Sequence, residues 1–314
     1  MKIVFFGTPD YVVEVVNALH KTFKTDSTDS SIQAVVTQQP KPTGRKQKVQ
    51  YSPVDNWAHK KNIPVFFDPL DIVNNKIKAD LGVLASYGKI VPKEVISFFP
   101  HGILNIHPSL LPMYRGASPV QAAIAAGDNI TGSTIMKLDE KLDHGHIVSQ
   151  FKEEIRKDDT TETLRARLFE HSSEELTGLI PAYIKGKVKL KEQDHDKVTF
   201  TKQINKIDAF IEPEAIRLAL EGKSIKKEWD IKFIKDFSIH YSPSTIHQFI
   251  RAMQPWPTAW THVNYGPTNQ KIKRLLIHKA HLDDEKLVLD EVQLEGKSPV
   301  SWKQFKEGNP QANL

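Results

Sequence analysis

The sequence contains no cysteine, which removes disulfide scaffolds, thiol nucleophiles and cysteine-ligated zinc together. No apolar stretch approaches the roughly 20 residues of a membrane-spanning helix. The opening run Met1 to Phe6 stops at Gly7-Thr8-Pro9 before it attains the apolar core or cleavage site of a secretion signal, so a cytoplasmic protein with no membrane partner is expected. A Gly-x-Ser-x-Gly elbow is also missing, which argues against a serine nucleophile. Gly7-Thr8-Pro9 lacks the three-glycine fingerprint of a dinucleotide site, and Pro9 has no backbone donor to offer a phosphate. Internal repeats and coiled-coil heptads are absent.

What is present reads as a globular chain of 314 residues, 39% hydrophobic and 26% charged, long enough for two domains of unequal size. The formal charge of +5 is modest, and its distribution says more than its size. Lys41, Arg45, Lys46 and Lys48 lie in an acid-free stretch from Pro40 to Lys48. Lys271, Lys273, Arg274, His278, Lys279 and His281 form a second. Taken alone, the first would be a solvated surface loop; its proline and glycine punctuation also suits an adaptable arm for an anionic partner.

Lys2–Phe6 reads as a buried strand, with Asp10 placed to cap a helix running to about Leu19. Further strands are expected at Ile32–Val36, Pro64–Phe67, Leu81–Ala85, Ile103–Ile106 and Thr134–Leu138, and helices at Val54–Lys61 and Asp159–Tyr183. Strands alternating with helices imply an α/β domain, about 1–185, with a mainly parallel sheet covered on both faces and function at the carboxyl ends of its strands. Residues 186–206 are polar and read as a linker. From 207 to 314 short strand-like runs at Ile231–Ile239, Lys273–His281 and Lys286–Leu294 suit a small barrel of the oligonucleotide-binding (OB) type. The alternative is a generic β-rich domain.

The stretch Leu104–Pro119, LNIHPSLLPMYRGASP, carries the chemistry. Asn105 and His107 are two apart at a strand end and so share a side. An amide can hold an oxyanion while an imidazole moves a proton near neutrality, the requirements of acyl transfer. Standing alone, such a pair is ordinarily structural. A third group, Asp143 in Leu142-Asp143-His144-Gly145-His146, could fix the histidine's tautomer and stabilise its protonated form. Without a nucleophile of the protein's own, direct attack by a substrate amine is expected. His107, Asp143, His144 and His146 are also zinc-ligand types, but His144 and His146 lack the spacing of helical zinc motifs, so no metal is expected. The Trp256–Trp260 region, flanked by Pro255 and Pro257, reads as a packing corner rather than a base-stacking surface.

NIHPSLLP, YRGASPVQ and LDHGHI together resemble the signature of the folate-dependent formyltransferases. The resemblance implies an open, mainly parallel Rossmann-like sheet, the formyltransferase fold, with a smaller C-terminal OB-like β-barrel domain. By it, Asn105, His107 and Asp143 map onto the catalytic set. Ser109, Leu110, Leu111 and Pro112, with Tyr87 and Gly88, map onto the pocket for 10-formyltetrahydrofolate. FFGTPDYVVEVV, VVTQQPKPTGRKQKVQYSPV and RAMQPWPTAWT extend the similarity along nearly the whole chain, nearest to family members that act on methionyl-tRNA. The implied activity is formyl transfer to the α-amino group of initiator methionyl-tRNA for translation initiation, by a monomer without a metal. Lys41, Arg45, Lys46 and Lys48 would then contact the tRNA, Arg45 foremost. Pro108, His144 and His146 depart from the residues usual at those places. Two rivals remain: a formyltransferase for a small amine, and an RNA-binding protein without catalysis.

Overall fold

The computed structural model describes residues 1–24, 30–43, 47–265 and 271–314. Its contacts separate two compact units, residues 1–115, 132–153 and 165–198 forming the first, and 116–131, 154–164 and 199–314 the second. No helix of the described residues is long and apolar enough to cross a membrane.

A seven-stranded sheet is built from β1 (Ile3–Gly7), β2 (Ile32–Val36), β3 (Val65–Phe66), β4 (Leu81–Ala85), β5 (Ile103–His107), β6 (Ile130–Lys137) and β7 (Ile147–Glu154), in the order β7-β6-β5-β4-β1-β2-β3. The pairs β1–β2, β1–β4, β2–β3 and β4–β5 are parallel, and β5–β6 is antiparallel. β1 is buried at every position, because a central parallel strand is covered on both faces and needs apolar residues throughout.

The helices are α1 (Val13–Phe23), α2 (Pro53–Lys60), α3 (Leu70–Asn74), α4 (Lys93–Ile96), α5 (Pro119–Ala126), α6 (Thr161–Ile184), α7 (Pro213–Leu220), α8 (Pro243–Ala252) and α9 (Trp302–Gly308). In the first unit, one core of the described residues joins Ile3, Phe5, Leu104 and Ile106 to Val15, Leu19, Trp57, Phe169 and Leu176 of α1, α2 and α6. Another joins Val4, Phe6 and Ile103 to Ile72 and Val95 of α3 and α4. Each large aliphatic side chain so buried contributes roughly 1.5–3 kcal/mol. Asp10 does not cap α1: it opens a one-turn 3-10 helix, Asp10–Val12, and its carboxylate accepts from the Tyr11 amide at 2.9 Å. Ser52 caps α2, accepting from the Asp55 amide at 3.0 Å.

The second unit is antiparallel and of the small barrel-like kind. A hairpin pairs β8 (Ile225–Asp230) with β9 (Ser238–Tyr241), and a four-stranded sheet follows chain order through β10 (Ala259–Tyr265), β11 (Lys271–Asp283), β12 (Lys286–Leu294) and β13 (Val300–Ser301). α8 packs against α5 and β11, and Ser242 and Thr245 close its first turn as a capping box. The strand expected at Ile231–Ile239 is instead mostly the connection between β8 and β9. Ile231, Phe233 and Ile234 are buried, but they anchor a turn in which the Ile234 amide bonds to the Ile231 carbonyl at 2.8 Å and Asp236 takes a positive φ of 54°.

Candidate active site

The period of two along β5 divides its side chains. Leu104 and Ile106 enter the core with α1 and α6, and Asn105 and His107 project from the opposite side, 5% and 4% exposed. Across the strands Asn105 faces Leu84 and Met136, and His107 faces Thr134. Among the described residues the Asn105 side-chain amide makes no hydrogen bond. His107 Nε2 lies 3.0 Å from the Tyr114 carbonyl oxygen. A carbonyl only accepts, so Nε2 carries the hydrogen and the basic lone pair is on Nδ1. That atom faces Asp143 Oδ2 at 3.6 Å. The tautomer is therefore held by a main-chain oxygen, where the sequence pointed to Asp143. The carboxylate stands just outside hydrogen-bond reach, in position to stabilise charge on the ring.

The loop after His107 is tied down by its neighbours. Thr134 Oγ1 donates to the Ser109 carbonyl at 2.7 Å and accepts from the Leu111 amide at 3.1 Å and from Gln150 Nε2 at 2.8 Å. Gln150 also reaches the Leu111 carbonyl. The Ser109 hydroxyl is buried and donates to the Met113 carbonyl at 2.6 Å, so it serves loop closure. Leu111 is buried, while Leu110 and Pro112 are half-buried and can meet a ligand.

Beside this loop runs the segment Ser86-Tyr87-Gly88. The Tyr87 ring is completely buried, and burial, with a smaller effect of Asp68, pushes its phenol up to about 12. Its carbonyl accepts from Thr8 Oγ1 and from Gln38 Nε2, each at 3.2 Å. Ser86 and Gly88 have positive φ, 48° and 77°, and a Cβ on Gly88 would come within 2.6 Å of Gln38 Nε2. The Gln38 side chain could turn aside, so it is the positive φ that favours glycine at position 88.

The turn that carries Asp143 is held from outside the motif. Asp143 has a φ of 45°, and a Cβ on Gly145 would lie 1.8 Å from the Lys137 carbonyl oxygen. Gln193 is 4% exposed and donates to the carbonyls of Asp143 and Gly145 at 2.9 and 2.8 Å. Its own oxygen accepts from Arg115 Nε at 3.1 Å and Nη2 at 2.6 Å. Burial lowers the Arg115 guanidinium from its ordinary value, and the carboxylates of Asp143 and Asp139 oppose that shift. His144 bonds to Asp139 Oδ2 through Nδ1 at 2.7 Å and stacks on His195, with ring centroids 4.5 Å apart. The parts played here by Tyr114, Arg115, Thr134 and Gln193 are contacts that no spacing in the sequence displays.

Of the basic residues, Lys41 and Lys48 lie on a short antiparallel hairpin, Lys41–Thr43 with Lys48–Gln50, in which Lys41 is opposite Gln50 and Lys48 opposite Thr43. Lys41 Nζ also donates to Gln38 Oε1 at 3.3 Å. Arg45 and Lys46 fall outside the described residues.

Comparison with known proteins places the chain in a family. A formyl transferase family model matches residues 1–180. A methionyl-tRNA formyltransferase of Buchnera aphidicola subsp. Schizaphis graminum is 36% identical over 271 residues, covering 84% of this chain and 76% of that protein. The methionyl-tRNA formyltransferase of Clostridium thermocellum shares the fold at a TM-score of 0.56 and 18% identity, covering 94% of this chain and 98% of that one. An N-formyltransferase from Helicobacter canadensis, solved with folinic acid and dTDP-3-aminofucose, aligns at a TM-score of 0.60 and 16% identity over 96% of this chain and 98% of its own. On the family match to the half of the chain that holds Asn105, His107 and Asp143, and on the identity that continues beyond it, the chain belongs to the methionyl-tRNA formyltransferase family.

Proposed function

We propose that the chain transfers the formyl group of 10-formyltetrahydrofolate to the α-amino group of methionine on initiator tRNA, for translation initiation. The observation that carries the chemistry is the geometry around His107: an unengaged amide at Asn105, a basic Nδ1 on the same side of the strand, and a carboxylate beyond that nitrogen.

The folate derivative supplies an activated formyl carbon. As the amine attacks, charge develops on the formyl oxygen, and the Asn105 N–H groups stabilise it. The proton leaving the amine goes to His107 Nδ1, because Nε2 is already committed to the Tyr114 carbonyl. Asp143 then offsets the charge on the imidazolium. When the bond from the formyl carbon to the folate nitrogen breaks, His107 Nδ1 returns the proton to that nitrogen, so the amine of tetrahydrofolate leaves neutral and the ring regains its basic lone pair. For the folate, the positive-φ backbone at Ser86 and Gly88 and the clamped Ser109–Pro112 loop form a fixed edge, with Leu110 and Pro112 offering apolar surface. The buried Tyr87 and Leu111 side chains support that edge from below, and Ser109 holds its shape.

Lys41, Arg45, Lys46 and Lys48 make the non-specific phosphate contacts to the tRNA, and the C-terminal residues 207–314 add to that grip. The catalytic residues belong to the domain of about 1–185. The enzyme works as a monomer in the cytoplasm, where aminoacyl-tRNA is available.

The test is transfer of labelled formyl from 10-formyltetrahydrofolate to initiator methionyl-tRNA, beside a small-amine acceptor and an Asn105→Ala variant. Expected are transfer to the tRNA alone and a fall in kcat of about 10²–10³-fold in the variant, with tRNA affinity kept. Transfer only to the small amine would retain the chemistry and remove the tRNA assignment. An Asn105→Ala protein as active as the parent would remove the oxyanion role.

A further inference from the structure

We propose that Gln193 is a positioning residue for formyl transfer: it clamps the Asp143 turn against the segment that holds His107, and so sets the gap between the two catalytic side chains. The inference rests on the roles given above to His107 and Asp143. Its starting point is the number of bonds made by one buried carboxamide. Both N–H groups are donated, to the Asp143 and Gly145 carbonyls, and the oxygen accepts twice from Arg115. The orientation of the amide is thereby fixed, because turning it over would set the oxygen against two carbonyls and the NH₂ against a guanidinium.

The two ends of this clamp lead to the two sides of the histidine ring. Arg115 follows Tyr114 directly in the chain, and the Tyr114 carbonyl fixes His107 Nε2. Asp143 faces Nδ1 at 3.6 Å. Gln193 therefore links the holder of one ring nitrogen to the carboxylate that faces the other. Asp143 has a φ of 45°, a left-handed conformation that aspartate tolerates better than most residues and that its surroundings here help to constrain. The two bonds from Gln193, together with the close approach of Gly145 to the Lys137 carbonyl, supply that constraint. Arg115 is held further by His195, whose Nδ1 lies 3.1 Å from Nη2. The group that Gln193 touches on the catalytic side is backbone, so it acts through Asp143.

Gln193→Glu separates the two halves of the role. The carboxylate keeps an acceptor for Arg115 and nearly the same shape, but it removes both donors and turns an anionic oxygen toward two carbonyls. Expected is a folded protein with kcat lowered by about 10–10²-fold, the scale of a displacement near 1 Å at the chemistry, and with KM for tRNA and for the folate little changed. Hydrogen exchange of the 139–146 amides should rise in this variant while exchange in β1 and β4 stays the same. Gln193→Met, which removes all the bonds, should give the same kinetic pattern and a lower melting temperature. A Gln193→Glu protein with unaltered kcat, or one whose loss lies in KM, would overturn the proposal. So would equal exchange over 139–146 in variant and parent, and that readout needs no turnover: a parent that transfers no formyl removes the proposed function, whereas unchanged exchange removes the clamp.

Discussion

The neighbourhood of Asp143 shows how far single positions constrain the site. Gly145 has no room for a side chain, since the Lys137 carbonyl oxygen would be 1.8 Å from its Cβ. Gly145→Ala must therefore move the turn or the end of β6. We expect a loss of roughly 1–3 kcal/mol in thermal or denaturant unfolding together with a kcat below that of the parent, because the carboxylate moves with the turn. An alanine variant with parental stability and rate would show that the turn yields without cost. At this scale the sequence displays one kind of information and hides another. The Asn105–His107 pair is visible because strand geometry alone puts residues two apart on one side. The partner of His107 Nε2 is a carbonyl oxygen, and every residue carries one, so nothing in the identity of Tyr114 advertises it. Gln193 lies 78 positions from Arg115 in a polar stretch whose composition resembles a linker. Polar residues drawn inward by a polar site leave the same compositional trace as residues left in water.

Among the elements, Ile32–Val36, Leu81–Ala85 and Lys286–Leu294 have the limits read from the sequence, as expected for short apolar or alternating runs bounded by turn residues. The run Ile231–Ile239 has similar alternation but is bonded differently. The Lys202 amide bonds to the Phe233 carbonyl and the Lys235 amide to that of Phe200, so its apolar side chains anchor a turn to a distant segment, and periodicity cannot separate that from a strand. β6 illustrates an element acting on the site without presenting a catalytic group. Thr134, opposite His107 in register, joins Ser109, Leu111 and Gln150 through one hydroxyl. Thr134→Val keeps the shape and removes those bonds, leaving the Leu111 amide without its partner. The expected cost is roughly 1–3 kcal/mol. KM for the folate should rise more than KM for the tRNA if the loosened loop is the folate edge proposed above. Equal effects on both would place the loop's role elsewhere.

For the whole molecule, pH is the variable whose effect on stability can be signed in advance. His247, in α8, is held down to about 4, first by burial and then by the positive charge of Arg251, with His281 and Asp290 acting more weakly and in opposite directions. In the unfolded chain the same imidazole titrates near its ordinary value of about 6.5. Above that value both states are neutral and the group contributes nothing. As pH falls from about 6.5 toward 4 the unfolded chain takes up a proton that the folded protein refuses, so stability is lost across this window and levels off below it. The limiting slope is about 1.4 kcal/mol per pH unit, reduced in practice because the ring is only partly shielded from solvent. Asp55 works in the opposite sense: burial raises its carboxyl above the ordinary value, with His59 opposing, so protonation at acid pH favours the folded state there. Comparing the parent with His247→Leu at each pH cancels Asp55 and the other groups that do not interact with this ring. The melting temperature of the parent should fall relative to that of the variant between pH 6.5 and 4, and a difference independent of pH would mean that His247 accepts its proton in the folded protein as readily as in the unfolded chain.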